Sequence, residues 1–255
     1  MVADMVRNLR LLGVREGGDL LVHSSYKSLG GSAGSIEDVI TALKTAVGVG
    51  GHLLMPTLSY ESVNNDSPHF DICTTPSCVG VITECFRKQP GVFRSMHPTH
   101  SVAVYGPKAE EIAGQHHLDD TPVGCNSPFS KLRDRGGQIL MLGCGLMPNT
   151  SMHGVEELAR PPYLFKNKNT YTCVDIDGVA TVMTVRRHHF HNANGDRVIQ
   201  RYDRLKYVLP AGILRSGKML QADCYLFEAR AMWDVAKKIL TEDPLFFVDY
   251  GRRSH

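Results

Sequence analysis

Residues 139–157 read ILMLGCGLMPNTSMHGVEE, and the reading of the whole chain turns on this stretch. Ile139 to Leu142 is a short apolar run of the kind that forms a buried strand. Gly143-Cys144-Gly145 breaks the run, and Pro148-Asn149-Thr150-Ser151 opens a helix with an Asn or Thr cap. A helix begun there carries His153 in its first turn. Glu156 and Glu157 follow three and four residues later, where their carboxylates can share a face with the imidazole. A histidine paired with a carboxylate suits a general base. It equally suits a polar residue bonded to its own helix, and this stretch alone leaves both readings open.

Working outward, helix and strand signals alternate. A first helix over MVADMVRNLRLLGV leads through Gly17-Gly18 to the strand Asp19–His23. Ser35 is a helix cap with Asp38 at the capping-box position, and the helix it opens ends at Gly48–Gly51. His52–Met55 is a second strand, closed by Pro56-Thr57. Residues 58–78 form a long polar loop, of the length that usually has a function. Ser77–Lys88 reads as helical and Val102–Tyr105 as a strand, followed by helices over KAEEIAGQHH and SKLRDRG. YTCVDIDGVATVMTVRR reads as a hairpin about Asp177-Gly178. Leu220–Leu226 is one more strand, and Glu228–Thr241 a helix stopped by Pro244. The fold class expected is α/β: a single domain over 1–255, with a mixed, largely parallel sheet flanked by helices.

Composition narrows the function classes. The 255 residues are 42% hydrophobic and 21% charged with a net charge of +2, a globular balance without bulk attraction to nucleic acid or membrane. Seven cysteines, an odd and scattered set, fit a reducing cytoplasm better than a disulfide framework. No apolar run is long enough to cross a bilayer. The expectation is a cytoplasmic protein with small-molecule partners.

The strands ending at His23, Thr57 and Gly143 each run directly into small or polar residues. Ligands collect at the carboxyl edge of parallel strands, so His23-Ser24-Ser25, Thr57–Tyr60 and Asn149–His153 are expected at one crevice. The loop Ser24–Gly34 carries hydroxyls and glycines and feeds a helix amino end, which suits phosphate groups or a pantetheine arm, or forms an ordinary turn. It is neither a Walker loop nor a dinucleotide fingerprint. His188, His189 and His191 have odd spacing and no nearby acidic residue, and read as a solvated segment. Cys73, Cys78 and Cys85 lack zinc spacing. His97-Pro98 is a turn cue beside Ser101, and no Gly-x-Ser-x-Gly elbow is present.

In order, VHSSYKSLG, GHLLMPTLSY, FDICTTPSCVG, FRSMHPTHSVAVYGP, VGCNSPFSKL and GCGLMPNTSMHGVEE resemble the aminoglycoside 3-N-acetyltransferases of the antibiotic acetyltransferase family. The resemblance runs from about residue 10 to the helix before Pro244. It implies an α/β fold distinct from GNAT acetyltransferases, acetyl-coenzyme A as cosubstrate, no metal, and direct transfer to an amine without a covalent intermediate. It further implies that His153 is the catalytic histidine and Glu156 its acid. Ser24, Ser25, Tyr26, Lys27, Ser28, Leu29 and Gly30 match the segment that wraps pantetheine and pyrophosphate, with Arg94, Ser95 and Ser101 adding contacts. His23, at the neck of that loop, is expected to order it or to protonate the leaving thiolate.

Aminoglycosides are polycations, and Tyr60, Glu61, Asp66, Asp71 and Asp119 are the residues expected to meet one. The second half departs from the pattern: where the resistance enzymes add acidic contacts, this chain has Arg186-Arg187-His188-His189, and Ser35 replaces a glycine. An acceptor amine other than an aminoglycoside therefore stands as an alternative. So do a metal-dependent hydrolase built on the twelve histidines and a coenzyme-A-binding scaffold without turnover.

Overall fold

Along the strand Gln138–Leu142, Ile139 and Met141 face one helical layer, and Leu140 and Leu142 face the other; all four are fully buried. This two-sided burial is why the segment reads as a continuous apolar run rather than an alternating one. The computed structural model describes residues 1–31 and 34–250. Ser32 and Ala33, part of the expected 24–34 loop, lie outside the described residues.

The elements in chain order are α1 (Val2–Leu12), β1 (Asp19–Ser24), α2 (Ile36–Val47), β2 (His52–Pro56), β3 (His69–Asp71), α3 (Val81–Phe86), β4 (Val92–Arg94) and β5 (Val102–Tyr105). Next come α4 (Ala109–Ala113), α5 (Pro128–Asp134), β6 (Gln138–Leu142), α6 (Met152–Ala159), β7 (Phe165–Val174) and β8 (Ala180–His188). The chain continues with β9 (Val198–Gln200), α7 (Leu205–Val208), β10 (Leu214–Met219), β11 (Ala222–Glu228), α8 (Ala229–Glu242) and β12 (Val248–Tyr250).

Seven strands form one sheet in the order β10-β11-β6-β1-β2-β5-β4. The sheet is mixed, as expected, but it is parallel only at its centre, where β1 pairs with β2 and with β6. The four outer pairings are antiparallel, which corrects the expectation of a largely parallel sheet. Two of these pairings, β10 with β11 and β4 with β5, have a local reason: short connections at Leu220-Gln221 and at Ser95–Ser101 return the chain as hairpins, without the helical crossover that parallel neighbours need. One face of the sheet packs on α1, α2 and α3 through Leu20, Val22, Leu53 and Leu140. The other packs on α4, α5, α6 and α8 through Leu21, Leu54, Ile139 and Phe227.

β3, β7 and β8 form a separate three-stranded sheet with its own small core of Val63, Phe70, Tyr171, Cys173, Met183 and Val185. The hairpin turn is at Asp177-Gly178 as read, with Asp175 Oδ1 accepting from the amides of Asp177 and Val179. The Ser35–Asp38 capping box is present in both directions. Ser77–Lys88 is helical only over Val81–Phe86, and residues 58–78 contain the strand β3. Among the described residues no helix is long and apolar enough to cross a membrane.

Candidate active site

The carboxyl ends of β1, β2 and β6 meet at a cavity of about 420 Å³. His23 and Ser24 line it from β1, Pro56, Leu58 and Tyr60 from β2 and its loop, and Asn149, Thr150 and His153 from the segment after β6. The expected crevice thus draws on all three segments named for it, although Ser25, Thr57, Ser59, Ser151 and Met152 do not line it. Gly143 makes the junction possible. Its φ is +69°, and a Cβ there would lie 2.6 Å from the Cβ of Ser28, so the turn after β6 sits directly against the 24–30 loop.

His153 lies in the first turn of α6, but the helix is not capped as expected. Neither Asn149 nor Thr150 caps with its side chain; instead the carbonyls of Asn149, Thr150 and Ser151 accept from the amides of Met152, His153 and Gly154. The Ser151 hydroxyl accepts from Trp233 Nε1 at 2.7 Å, tying α6 to α8. Gly154 permits that approach, since a Cβ there would meet the Trp233 ring at 2.0 Å.

His153 Nδ1 lies 3.0 Å from Glu156 Oε2 and 2.9 Å from the Tyr202 hydroxyl. Tyr202 donates its own proton to Glu156 Oε2 at 2.8 Å, and Tyr163 donates to Oε1 at 2.9 Å. With both neighbours of Nδ1 acting as acceptors toward it, the imidazole proton sits on Nδ1 and the Nε2 lone pair is left free. Glu156 is fully buried and held by three donors, so the ring orientation is fixed from below. Glu157 does not join this pair. It points the other way, accepting from the Val123 amide and bonding His188 Nε2 at 2.8 Å, and burial pushes its carboxyl up to about 7.

His188 corrects the reading of 188–191 as solvated and without an acidic partner: its side chain is buried against Glu157, and it lines the cavity. His189 and His191 pack on each other, 4.4 Å between ring centroids. Phe190, in the left-handed region at φ 48°, places its ring 5.1 Å from that of His153. His23 is buried with Nε2 unpartnered, and burial, then the neighbouring His153, pushes it down to about 3. Burial likewise pushes the Cys144 thiol, at the cavity wall, up to about 12, which makes it a poor nucleophile.

The expected coenzyme residues divide. Ser24 lines the cavity, Ser25 gives its amide to Leu142 O, and Lys27 is exposed. Ser28 donates to Gly143 O at 2.7 Å, Tyr26 donates to Gly34 O, and Gly30 packs against the Gln221 side chain. Leu29 is core, facing α1 and α2 rather than a ligand. Arg94, Ser95 and Ser101 are buried away from the cavity wall. Arg94 donates to the carbonyls of Thr57, Ile72 and Thr75, and Ser101 donates to Thr57 O. Ser95 accepts from the Val102 amide and donates to His116 Nδ1, whose other nitrogen donates to Pro122 O. Arg94 and Ser101 hold the loop after β2, and Ser95 ties the start of β5 to His116.

The expected acidic lining does not converge. Only Tyr60 reaches the cavity. Asp71 caps the turn at Cys73 and Thr74, and Asp119 is held by the amide and side chain of Asn126. Glu61 and Asp66 are exposed off the cavity. Arg187 and Arg197 line it instead, and Arg187 donates to Tyr60 O. Tyr202, His100, His188 and Arg197 had no local signal, since what they do depends on partners far along the chain.

Residues 21–241 match the family model described as aminoglycoside 3-N-acetyltransferase. The chain is 38% identical over 163 residues to aminoglycoside N(3)-acetyltransferase IV of Salmonella sp, covering 63% of this chain and 60% of that protein's length. It is 30% identical to aminoglycoside N(3)-acetyltransferase VIII of Streptomyces fradiae, covering 88% and 86% of the two chains. Among solved structures, a mutant of aminoglycoside acetyltransferase AAC(3)-IVa in complex with apramycin superposes with a TM-score of 0.76 at 30% identity, over 95% of this chain and 93% of that one. AAC-IIIb in a binary complex with CoASH superposes with a TM-score of 0.80 at 25% identity, over 100% and 99%. The sheet, the cavity at its parallel centre and these matches agree, and the chain belongs to the aminoglycoside 3-N-acetyltransferase family.

Proposed function

We propose that this protein transfers the acetyl group of acetyl-coenzyme A directly to an amine of an aminoglycoside, with His153 as general base. The observation that carries the reading is the held imidazole: Nδ1 is tied to Glu156 and Tyr202, and Nε2 is free beside the cavity. The residues present suit the cosubstrate. Ser24 stands at the cavity wall, and Lys27, exposed with no carboxylate partner among the described residues, is available to a phosphate. The thioester supplies an activated acyl carbon. His153 Nε2 takes the proton as the amine nitrogen bonds to that carbon, a role worth ~10²–10⁴-fold. Glu156 stabilises the imidazolium so formed, the carbon–sulfur bond breaks, and the thiolate leaves.

His23 does not suit the role of thiolate acid, because a ring pushed down to about 3 is uncharged at neutral pH and its remaining N–H is far too weak an acid to protonate a thiolate. We assign it to ordering the neck of the loop. Family membership favours acyl transfer over the hydrolase and scaffold alternatives. A second acceptor class also has an observation in its favour: two arginines and no carboxylate line the cavity among the described residues, so an amine that is not a polycation fits its charge. Thiol release measured across aminoglycosides and simple or anionic amines decides between them. Turnover of aminoglycosides alone supports the first class and turnover of anionic amines the second, while release with no amine contradicts both.

A further inference from the structure

One nitrogen from each of His100, His153 and His188 lies within 4.8 Å of the other two. The rings come from three separate places: the turn before β5, the first turn of α6 and the end of β8. One nitrogen of each ring meets a protein oxygen. His153 Nδ1 bonds Glu156 at 3.0 Å, His188 Nε2 bonds Glu157 at 2.8 Å, and His100 Nδ1 bonds Thr99 Oγ1 at 2.9 Å. Imidazoles that ligate metals are held in this way, with one ring nitrogen hydrogen-bonded so that the other is aimed and basic.

A second observation is independent of the clustering. His188 Nδ1 is buried with no hydrogen-bond partner among the described residues, and its side chain is only 2% exposed. Buried polar atoms are nearly always satisfied, so one without a partner inside a cluster of donor nitrogens needs a ligand to meet it. All three residues also line the cavity, which leaves one side of the cluster open. Three imidazoles with an open fourth position suit zinc and its neighbours rather than calcium or magnesium, which take oxygen ligands.

We propose that His100, His153 and His188 bind one divalent ion of the zinc class, and that its occupancy withdraws His153 from proton transfer. The site stands on the geometry alone. The withdrawal rests on the general-base reading above, because one nitrogen cannot hold both an ion and the proton of an amine.

Zinc titrated into the metal-free full chain by calorimetry, with cobalt absorption as a probe of geometry, tests the site. One ion per chain is expected, with cobalt bands of tetrahedral intensity. Binding should be more than about tenfold weaker in His100→Ala and His188→Ala, while His189→Ala binds like the parent. His188→Gln, which can still bond Glu157, serves if the alanine variant fails to fold. No stoichiometric binding, or binding unchanged in these variants, overturns the site. With an amine the enzyme turns over, zinc should lower thiol release in step with occupancy and a chelator should restore it. Zinc-loaded turnover at or above the metal-free rate overturns the withdrawal. Absence of turnover with every amine would count against the acetyltransferase reading instead, and the calorimetry would still decide the site.

Discussion

His23, Ser24, Asn149 and His153 reach the cavity from the ends of β1 and β6, in the parallel centre of the main sheet, whereas Arg187, His188, Phe190, Arg197 and Tyr202 reach it from the end of β8 and the irregular segment after it. The inner wall is positioned by strands buried on both faces. Its register follows from the packing of the whole domain. Of the outer wall, Arg187 and His188 end β8 of the separate three-stranded sheet, Phe190 packs on another small cluster, and Tyr202 belongs to the core beneath the main sheet. Its side chains meet the inner wall through Tyr202 with the His153–Glu156 pair, His188 with Glu157 and Phe190 with His153, among others. The difference separates the chemistry from the choice of acceptor. A base held by the inner wall can be common to many relatives, while the charge facing the acceptor is set by a segment that can change without disturbing the sheet.

The largest effect that would sharpen this division comes from below the inner wall. Glu156→Gln keeps the side chain's shape but can donate to His153 Nδ1, which moves the imidazole proton to Nε2 and blocks the base. Thiol release should fall by ~10²–10⁴-fold with KM little changed. A rise in KM with kcat intact would mean that Glu156 acts on binding.

The second effect concerns acid stability. Burial lowers His23 and His116 from an ordinary value of 6.5 to about 3 in the folded protein. Their contribution is therefore complete above pH 6.5 and drains away as pH falls from there toward 3, at a cost of a few kcal/mol. Melting temperature measured across that window should drop steeply. His116→Gln, whose amide can still donate to Pro122 O, should flatten the decline. A flat profile in the parent protein would contradict the burial of these rings as neutral groups.

The smallest effect belongs to the outer wall. Arg187→Glu should shift the ratio of kcat/KM values toward polycationic acceptors by about three- to tenfold while leaving kcat for a neutral amine unchanged. An equal loss for all acceptors would show that this wall serves structure rather than selection, and the comparison would fail.

What was legible in the sequence follows the same line. β6 could be read because its residues are apolar on both faces, and α2 because Ser35 and Asp38 form a cap within four residues. Asp177-Gly178 marks its turn by local backbone chemistry. The meeting of His23, Tyr60 and His153 could be inferred because parallel strands share a carboxyl edge. Arg94, Ser95 and Ser101 resisted, since their partners lie 7 to 44 residues away and local spacing does not distinguish a buried structural donor from a ligand contact. His188 resisted for a related reason. Nothing within several residues of it is acidic, and its carboxylate, Glu157, is 31 positions earlier on α6.

The most direct test of the account is His153→Ala, assayed for thiol release with an accepted amine and, separately, for acetyl-coenzyme A binding by calorimetry. The account predicts that release falls to the background rate while binding stays within a few-fold of the parent. Release at the parent rate from a folded His153→Ala protein would contradict it.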